Sequence, residues 1–268
     1  MKTVRPPAVA GSFYPRDPVA LQRMVARFVA AAEPPSLPLR ALIAPHAGYI
    51  YSGPIAGTAY ACLQAYLAAH PAGFNRVVLL GPAHRAPVHG LAGSSASAFA
   101  TPLGQVPLDR AALDELLALP HVAIYDAAHR PEHGLEVHLP FLQLLLPAFT
   151  LVPLLVGDCD PAGVSAALAL LAGPRTLILI SSDLSHYHDY DTARRLDQSA
   201  AQAIEQGHLL HEGQACGRYA INGLLHYARQ QGWQAHTLDL RSSGDTAGPR
   251  DQVVGYGAFA FGPPAGQG

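Results

Sequence analysis

The chain has 268 residues, 50% of them hydrophobic, and a formal net charge of −2 at pH 7. Its 17 lysines and arginines are balanced by 19 aspartates and glutamates, which excludes the basic surface that nucleic-acid binding needs. The sequence contains no apolar run of about 18 residues, the length that a membrane-spanning helix requires. We therefore predict one globular domain over residues 1–268, with no membrane span.

Cysteine usage and the N-terminal sequence bear on the compartment. The three cysteines, Cys62, Cys159 and Cys216, lie far apart, which argues against a disulfide framework and favours a reducing cytoplasm. The first fifteen residues are broken by prolines and lack the apolar core of a secretory signal. Because charged residues make up only 13% of the chain, the composition also favours a homo-oligomer that covers part of the surface.

Short apolar runs alternate with helix-like segments along the chain. The predicted strands are Arg40–Ala44, Arg76–Gly81, Leu151–Val156, Thr176–Ser181, Gln234–Leu240 and Val253–Phe261. The predicted helices are Ile55–Ala69, Arg110–Leu117, Leu139–Leu145, Pro161–Leu171, Asp191–Gln206 and Arg218–Gln231. Continuous apolar runs such as "RVVLLG" and "TLILIS" are typical of strands buried on both faces of a parallel sheet. The pattern predicts an α/β fold with a mixed, mostly parallel central sheet flanked by helices, ending in an antiparallel pair.

Histidines recur where the predicted strands end. His46 in "PHAGY" follows the first strand, and His84 in "GPAHR" follows the second. Asp183 and His186 follow the fourth strand in "SSDLSHYHDY". A single histidine at a strand end is more often a hydrogen-bonded structural residue than a ligand. Ligands in open α/β sheets bind beyond the carboxyl ends of the strands, so the three groups together favour a binding site there.

Two further segments carry candidate site residues. "EHGLEVHLPF" places His133, Glu136 and His138 around the start of a short helix before the third strand. Cys216 in "QACGRYAI" lies at the predicted start of a helix, where it is either a small buried apolar residue or a thiolate. A helix N-terminus lowers the pKa of a thiol, and a bound metal lowers it further. Sequence spacing alone does not place Cys216 near the histidines.

Six motifs in this order resemble those of Memo-like proteins: "APHAGYIYSG", "GPAHR", "EHGLEVHLPF", "SSDLSHY", "CGRYAI" and "GYGAFAF". The opening "AGSFYP" is similar to that family as well, so the resemblance covers about Arg5 to Phe261. The bacterial branch of the family is called AmmeMemoRadiSam system protein B, which implies an association with a radical-SAM protein. The family implies a fold similar to that of class III extradiol dioxygenases, which are non-haem iron enzymes.

The resemblance also implies roles for individual residues. His46, His84 and Cys216 match the metal-binding set, and Asp183 and His186 match residues that line the same pocket. His186 falls where the dioxygenases carry a proton-handling histidine. His138 also matches a pocket residue, which gives His186, Asp183 and His138 as the catalytic candidates. Cys216 stands where those enzymes have a glutamate ligand, and a thiolate suits Cu or Zn as well as iron.

The leading hypothesis is a cytoplasmic, non-haem metal-dependent dioxygenase or other redox enzyme that acts on a small molecule. Fe(II) is the favoured ion, because three ligands on one side of it leave positions open for O₂ and a bidentate substrate such as a catechol. Two alternatives stay open. One is a Zn- or Cu-dependent hydrolase or redox enzyme, and the other is a non-catalytic binding or scaffold protein whose pocket is vestigial.

Overall fold

The structure is a computed structural model that describes residues 3–33 and 35–264. The strands are β1 (Val4–Arg5), β2 (Ala41–Ala44), β3 (Arg76–Pro82), β4 (Leu91–Gly93), β5 (Ala98–Thr101), β6 (Gly104–Pro107), β7 (Val122–Ile124), β8 (Thr150–Val156), β9 (Thr176–Ser181), β10 (His186–His188), β11 (Gln234–Ser242) and β12 (Val253–Gly262). The helices are α1 (Pro18–Ala30), α2 (Tyr49–Ala69), α3 (Arg110–Leu116), α4 (Asp126–His129), α5 (Leu139–Leu145), α6 (Pro161–Leu171), α7 (Tyr190–Glu205) and α8 (Arg218–Gln231).

The central sheet is mixed and its middle is parallel, which confirms the predicted fold class. The strands β2, β9, β3 and β8 lie side by side in this order, and each pairs in parallel with its neighbour. On one side, β12 pairs antiparallel with β2 and β11, so the predicted antiparallel end of the sheet is confirmed. On the other side, β4 pairs antiparallel with β8 and in parallel with β7.

The register of the parallel strands places three chain segments at one edge of the sheet. Ala44 at the end of β2 pairs with Ser181 at the end of β9, and Leu80 of β3 pairs with Ile180 of β9. Every residue of β2 and β9 is buried, as their continuous apolar sequences predict. The chain therefore leaves β2, β9 and β3 at neighbouring points, and these exits carry the polar motifs.

Helix α2 begins earlier than the sequence predicts. The predicted start was Ile55, but the helix begins at Tyr49 and contains Pro54. Proline removes the hydrogen bond to the carbonyl four residues earlier, here that of Ile50. Ile50 is 59% exposed, so solvent reaches this turn of the helix. The helix therefore tolerates Pro54.

A second, three-stranded sheet ties the N-terminal segment to the domain, because β1 pairs in parallel with β5 and β5 pairs antiparallel with β6. Apolar side chains from the central sheet and the inner faces of the helices pack into one buried cluster. None of the helices within the described ranges has the length and apolar character needed to span a bilayer.

Candidate metal centre

Three strand exits converge at the carboxyl edge of the central sheet. His46 follows β2, Asp183 follows β9 and His84 follows β3, as the sequence predicts for a site at this edge. The backbone N–H of His46 donates to Asp183 Oδ1 over 2.8 Å, which ties two of the exits together. The structure therefore brings these three predicted residues into one place.

Three imidazoles form the cluster at this edge: His46, His84 and His133. One ring nitrogen of each lies within 4.8 Å of the ring nitrogens offered by the other two. The ring centroids of His46 and His84 are 5.0 Å apart, those of His84 and His133 4.7 Å, and those of His46 and His133 5.6 Å. Imidazoles that share one metal at ordinary Zn–N distances have centroids roughly 5 Å apart.

A polar side chain lies against the Nδ1 atom of each imidazole, and two of these contacts are hydrogen bonds. His46 Nδ1 lies 2.6 Å from Ser181 Oγ, and His84 Nδ1 lies 2.9 Å from Glu132 Oε1. His133 Nδ1 is 3.2 Å from the same Glu132 oxygen. Metal-binding histidines usually carry such a partner on one ring nitrogen, which fixes the ring and leaves the other nitrogen for the metal. The donor set and its supports therefore fit a divalent cation bound through Nε2 atoms.

Glu132 is the carboxylate that organises two of these rings. It is 2% exposed and accepts the backbone N–H groups of His84 (2.7 Å), His133 (2.9 Å) and Gly134 (2.8 Å). Burial opposes its ionisation, but the hydrogen bond and charge of His84 and the backbone donors outweigh burial and lower the pKa of Glu132 to about 2. Glu132 is thus an ionised carboxylate that orients its ring partners.

The environment keeps the buried imidazoles neutral, as metal binding requires. Burial lowers the pKa of His46 well below its usual range, and the neighbouring His84 and His133 add to this effect. Burial likewise lowers the pKa of His133 to about 4, against the opposing charge of Glu132. At neutral pH both rings therefore have a free lone pair.

Cys216 lies beside His46, on the approach to α8. Its Sγ atom is 3.4 Å from His46 Nε2, close to the roughly 3.5 Å expected for sulfur and nitrogen ligands of one tetrahedral metal. Burial and the charge of Asp183 raise the pKa of the Cys216 thiol to about 12, the opposite of the lowering that a helix N-terminus was expected to give. Cys216 precedes the N-cap residue Gly217 and is partly buried. That Cys216 is a metal ligand stays a prediction.

The catalytic candidates occupy different positions. His186 lies in β10 and lines the cavity over the three imidazoles, and burial lowers its pKa. Asp183 also lines the cavity but is 5% exposed, and burial raises its pKa to about 7. His138 is 1% exposed, with Nδ1 2.8 Å from the hydroxyl of Tyr60, and burial lowers its pKa to about 3. It does not line the cavity, although it contributes to the lowered pKa of His46.

The cavity has a volume of about 550 Å³, which is the size of a small-molecule site. Its wall combines the site side chains with residues from the N-terminal segment, from the β3 exit and from β10, among them Phe13, Arg85 and Tyr187. The Phe13 ring lies 4.7 Å from the His133 ring, centroid to centroid. Room for a small molecule therefore lies directly against the imidazole cluster.

Two residues of the site were not predicted from the sequence. His133 was noted within "EHGLEVHLPF" but was not assigned to the metal, and Glu132 was not singled out. Both lie in the loop after α4, which is not a strand exit, so the strand-end argument did not apply to them. The signal available was the adjacent acid–imidazole pair itself, since a carboxylate is the usual partner of a metal-binding histidine.

Comparisons with known proteins cover almost the whole chain. The family model described as "Memo-like protein" matches residues 5–260. A MEMO1 family protein of Archaeoglobus fulgidus is 35% identical over 275 residues, covering 96% of this chain and 99% of the relative. A MEMO1 family protein of Sulfolobus acidocaldarius is 34% identical over 290 residues, covering 97% and 99%. The crystal structure of an uncharacterized protein from Escherichia coli K12 aligns with a TM-score of 0.48 and 16% identity, over 81% of this chain and 99% of that one.

Proposed function

Since this chain belongs to the Memo-like protein family, we propose that it is a metal-dependent redox enzyme that acts on a small molecule, with Fe(II) as the favoured ion. The observation that supports this proposal best is the arrangement of polar side chains around the imidazole cluster. His46 Nδ1 is hydrogen-bonded to Ser181 and His84 Nδ1 to Glu132, and His133 Nδ1 lies against the same Glu132 oxygen, which leaves the Nε2 atoms to face a metal beside the cavity. Cys216 next to His46 offers a fourth donor.

The proposed role of each side chain follows from its position in the site. Fe(II) bound there supplies one-electron redox chemistry and a positive charge that favours deprotonation of a substrate hydroxyl. His186 lines the cavity with an imidazole that is neutral near pH 7, so it can accept that proton and return it later. Asp183 fixes the backbone of His46 through its Oδ1 atom and has no hydrogen bond to His186 among the described residues. The proposed role of Asp183 is therefore to hold His46 in place.

Zinc-dependent hydrolysis is the second candidate, favoured by the presence of His133 in the cluster. Three imidazoles are the donor set of one class of catalytic zinc site, in which the fourth position is left for water. In that case His186 would take the proton of a water molecule rather than that of a substrate hydroxyl. The identity of the bound metal separates this candidate from the redox enzyme.

Anaerobic purification followed by elemental analysis tests the proposal. We expect about one divalent ion per chain, with iron in excess of zinc and copper. A protein that retains stoichiometric zinc under the same conditions would support the hydrolase instead. If the folded chain takes up none of these ions when they are offered, the site is not a metal centre, and the non-catalytic scaffold is favoured.

A His186→Ala variant tests the proton-handling role. We expect it to keep full metal occupancy and to lose turnover by about 10²- to 10⁴-fold, the usual contribution of a positioned acid–base group. Oxygen uptake with catechol-type compounds measures the turnover, and elemental analysis measures the metal. His188→Ala is the matched control, because this exposed histidine lies in the same strand and does not line the cavity. Equal turnover in the two variants would remove His186 from the mechanism.

A further inference from the structure

The charged side chains around the cavity over the imidazole cluster bear on what the cavity can hold. Both carboxylates near the imidazoles are already engaged: Glu132 is hydrogen-bonded to His84 Nδ1 and to the backbone N–H of His133, and Asp183 accepts the His46 backbone N–H. The imidazoles are suited to hold a cation. Among the charged side chains of the cavity wall, this leaves Arg85 to meet a substrate.

Arg85 is the charged group that faces this space without a partner. It follows His84 directly, lines the cavity and is exposed. Within residues 3–33 and 35–264, its guanidinium makes no hydrogen bond and no ion pair. An arginine fork matches a carboxylate in a planar, two-bond arrangement, so the unpaired group can recognise an acid on a molecule bound next to the metal.

Tyr187 is the second unexplained feature of the cavity wall. It is the non-glycine residue with positive φ (62°) in the described part of the chain, although tyrosine disfavours this conformation. The pairing of β10 with β12 shifts register between His186 and His188, so Tyr187 sits on a β-bulge. Bulges beside active sites re-aim side chains, and this one leaves Tyr187 72% exposed, with its ring 5.8 Å from that of His186.

We propose that the substrate is a planar organic acid, whose carboxylate is bound by Arg85 and whose ring face is covered by Tyr187. This inference rests on the proposed metal-dependent function and names the substrate class of the same site. This arrangement explains the strained backbone at Tyr187, because the bulge holds the tyrosine ring at the mouth of the cavity beside the proton-handling His186. The metal and Arg85 together attract the anion, and the ring of Tyr187 favours a flat molecule that can pack against it.

A matched pair of probes tests the role of Arg85: 3,4-dihydroxybenzoate and the uncharged 3,4-dihydroxybenzamide. Titration calorimetry on the Zn²⁺-loaded protein avoids oxidation of the probes during the measurement. We expect the acid to bind about tenfold more tightly than the amide, and Arg85→Gln to abolish this preference without changing zinc content. Arg175→Gln is the control for net charge, because Arg175 is exposed and precedes β9, at the opposite end of that strand from the site.

Tyr187→Asn tests the ring, because asparagine tolerates positive φ and carries no aromatic face. We expect this variant to melt at the same temperature or higher and to bind both probes about fivefold more weakly. Tyr187→Phe should bind as the parent does. Unchanged binding by Tyr187→Asn would overturn the assignment of the ring.

The remaining outcomes separate this inference from the proposed function. If the loaded protein binds neither probe, or binds acid and amide equally, the substrate class is overturned while the metal centre stands. If Arg85→Gln keeps the preference for the acid, Arg85 is not its receptor. If the parent protein takes up no metal, the proposed function itself fails, and this inference fails with it.

Discussion

A His84→Ala variant is expected to lose stoichiometric metal while its fold stays intact. The His84 side chain is 27% exposed, so its truncation leaves little buried cavity. It supplies one of three clustered imidazoles, and Glu132 fixes its ring. Loss of a partner that merely orients a ligand already weakens metal binding by about 10- to 100-fold. Loss of the ligand itself should therefore exceed about 100-fold, measured by competition with a chelator of known affinity.

His208→Ala is the control for this variant, because His208 is exposed and outside the site. It should bind metal as the parent does, and circular dichroism should show the same secondary structure for both variants. Metal also stabilises the folded chain by mass action, so the parent should gain melting temperature on addition of metal and His84→Ala should not. Full occupancy in His84→Ala would remove the imidazole cluster as the metal site.

The same measurements decide between Cys216 and His133 as the further ligand. The resemblance implies Cys216, and the structure places His133 in the cluster and Cys216 beside His46. A thiolate on Co²⁺ gives an intense near-ultraviolet charge-transfer band, which an imidazole does not give. We expect the Co²⁺-loaded parent and His133→Ala to show this band and Cys216→Ser to lose it. A parent without the band, or Cys216→Ser with full metal affinity, would exclude Cys216.

The fold was predictable because the buried strands of its sheet give a recognisable pattern in the sequence. Strands buried on both faces must be apolar at every position, so Thr176–Ser181 was located to the residue. Helix α6 was also located to the residue, since Asp160 caps it and Pro161 begins it. The short strands β4 to β7 were not predicted. They have three or four residues each, too few for a periodic pattern to emerge.

Only those residues of the site that follow a predicted strand or lie in a family motif with an assigned role could be predicted. Parallel strands bring their carboxyl ends together, so His46, Asp183 and His84 could be grouped before the structure was seen. His133 could not, because it reaches the cluster from a loop whose path depends on packing across the whole domain. The contact of the Phe13 ring with the His133 ring is of the same kind, since these residues are 120 positions apart and no local pattern links them.

The largest effect on stability is expected from Glu136→Gln. Glu136 is fully buried, and its carboxylate accepts hydrogen bonds from four groups of the N-terminal segment. These donors are the Arg5 guanidinium (2.6 Å), the backbone N–H groups of Ala8 (2.6 Å) and Val9 (3.0 Å), and the Tyr14 hydroxyl (2.5 Å). Glutamine keeps the shape but removes the charge opposite Arg5, which is itself only 6% exposed.

Removing one partner of a buried ion pair leaves the other charge uncompensated, so Glu136→Gln should lower the free energy of unfolding by about 3–5 kcal/mol. Asp114→Asn is the control: its exposed ion pair with Arg110 should be worth less than about 0.5 kcal/mol. Urea denaturation measures both values, and a loss below 1 kcal/mol for Glu136→Gln would contradict the argument. Phe13 belongs to the segment that Glu136 holds, so amide exchange around the segment should also speed up in the folded state. The wall of the cavity over the imidazole cluster thus depends on a carboxylate that does not line it.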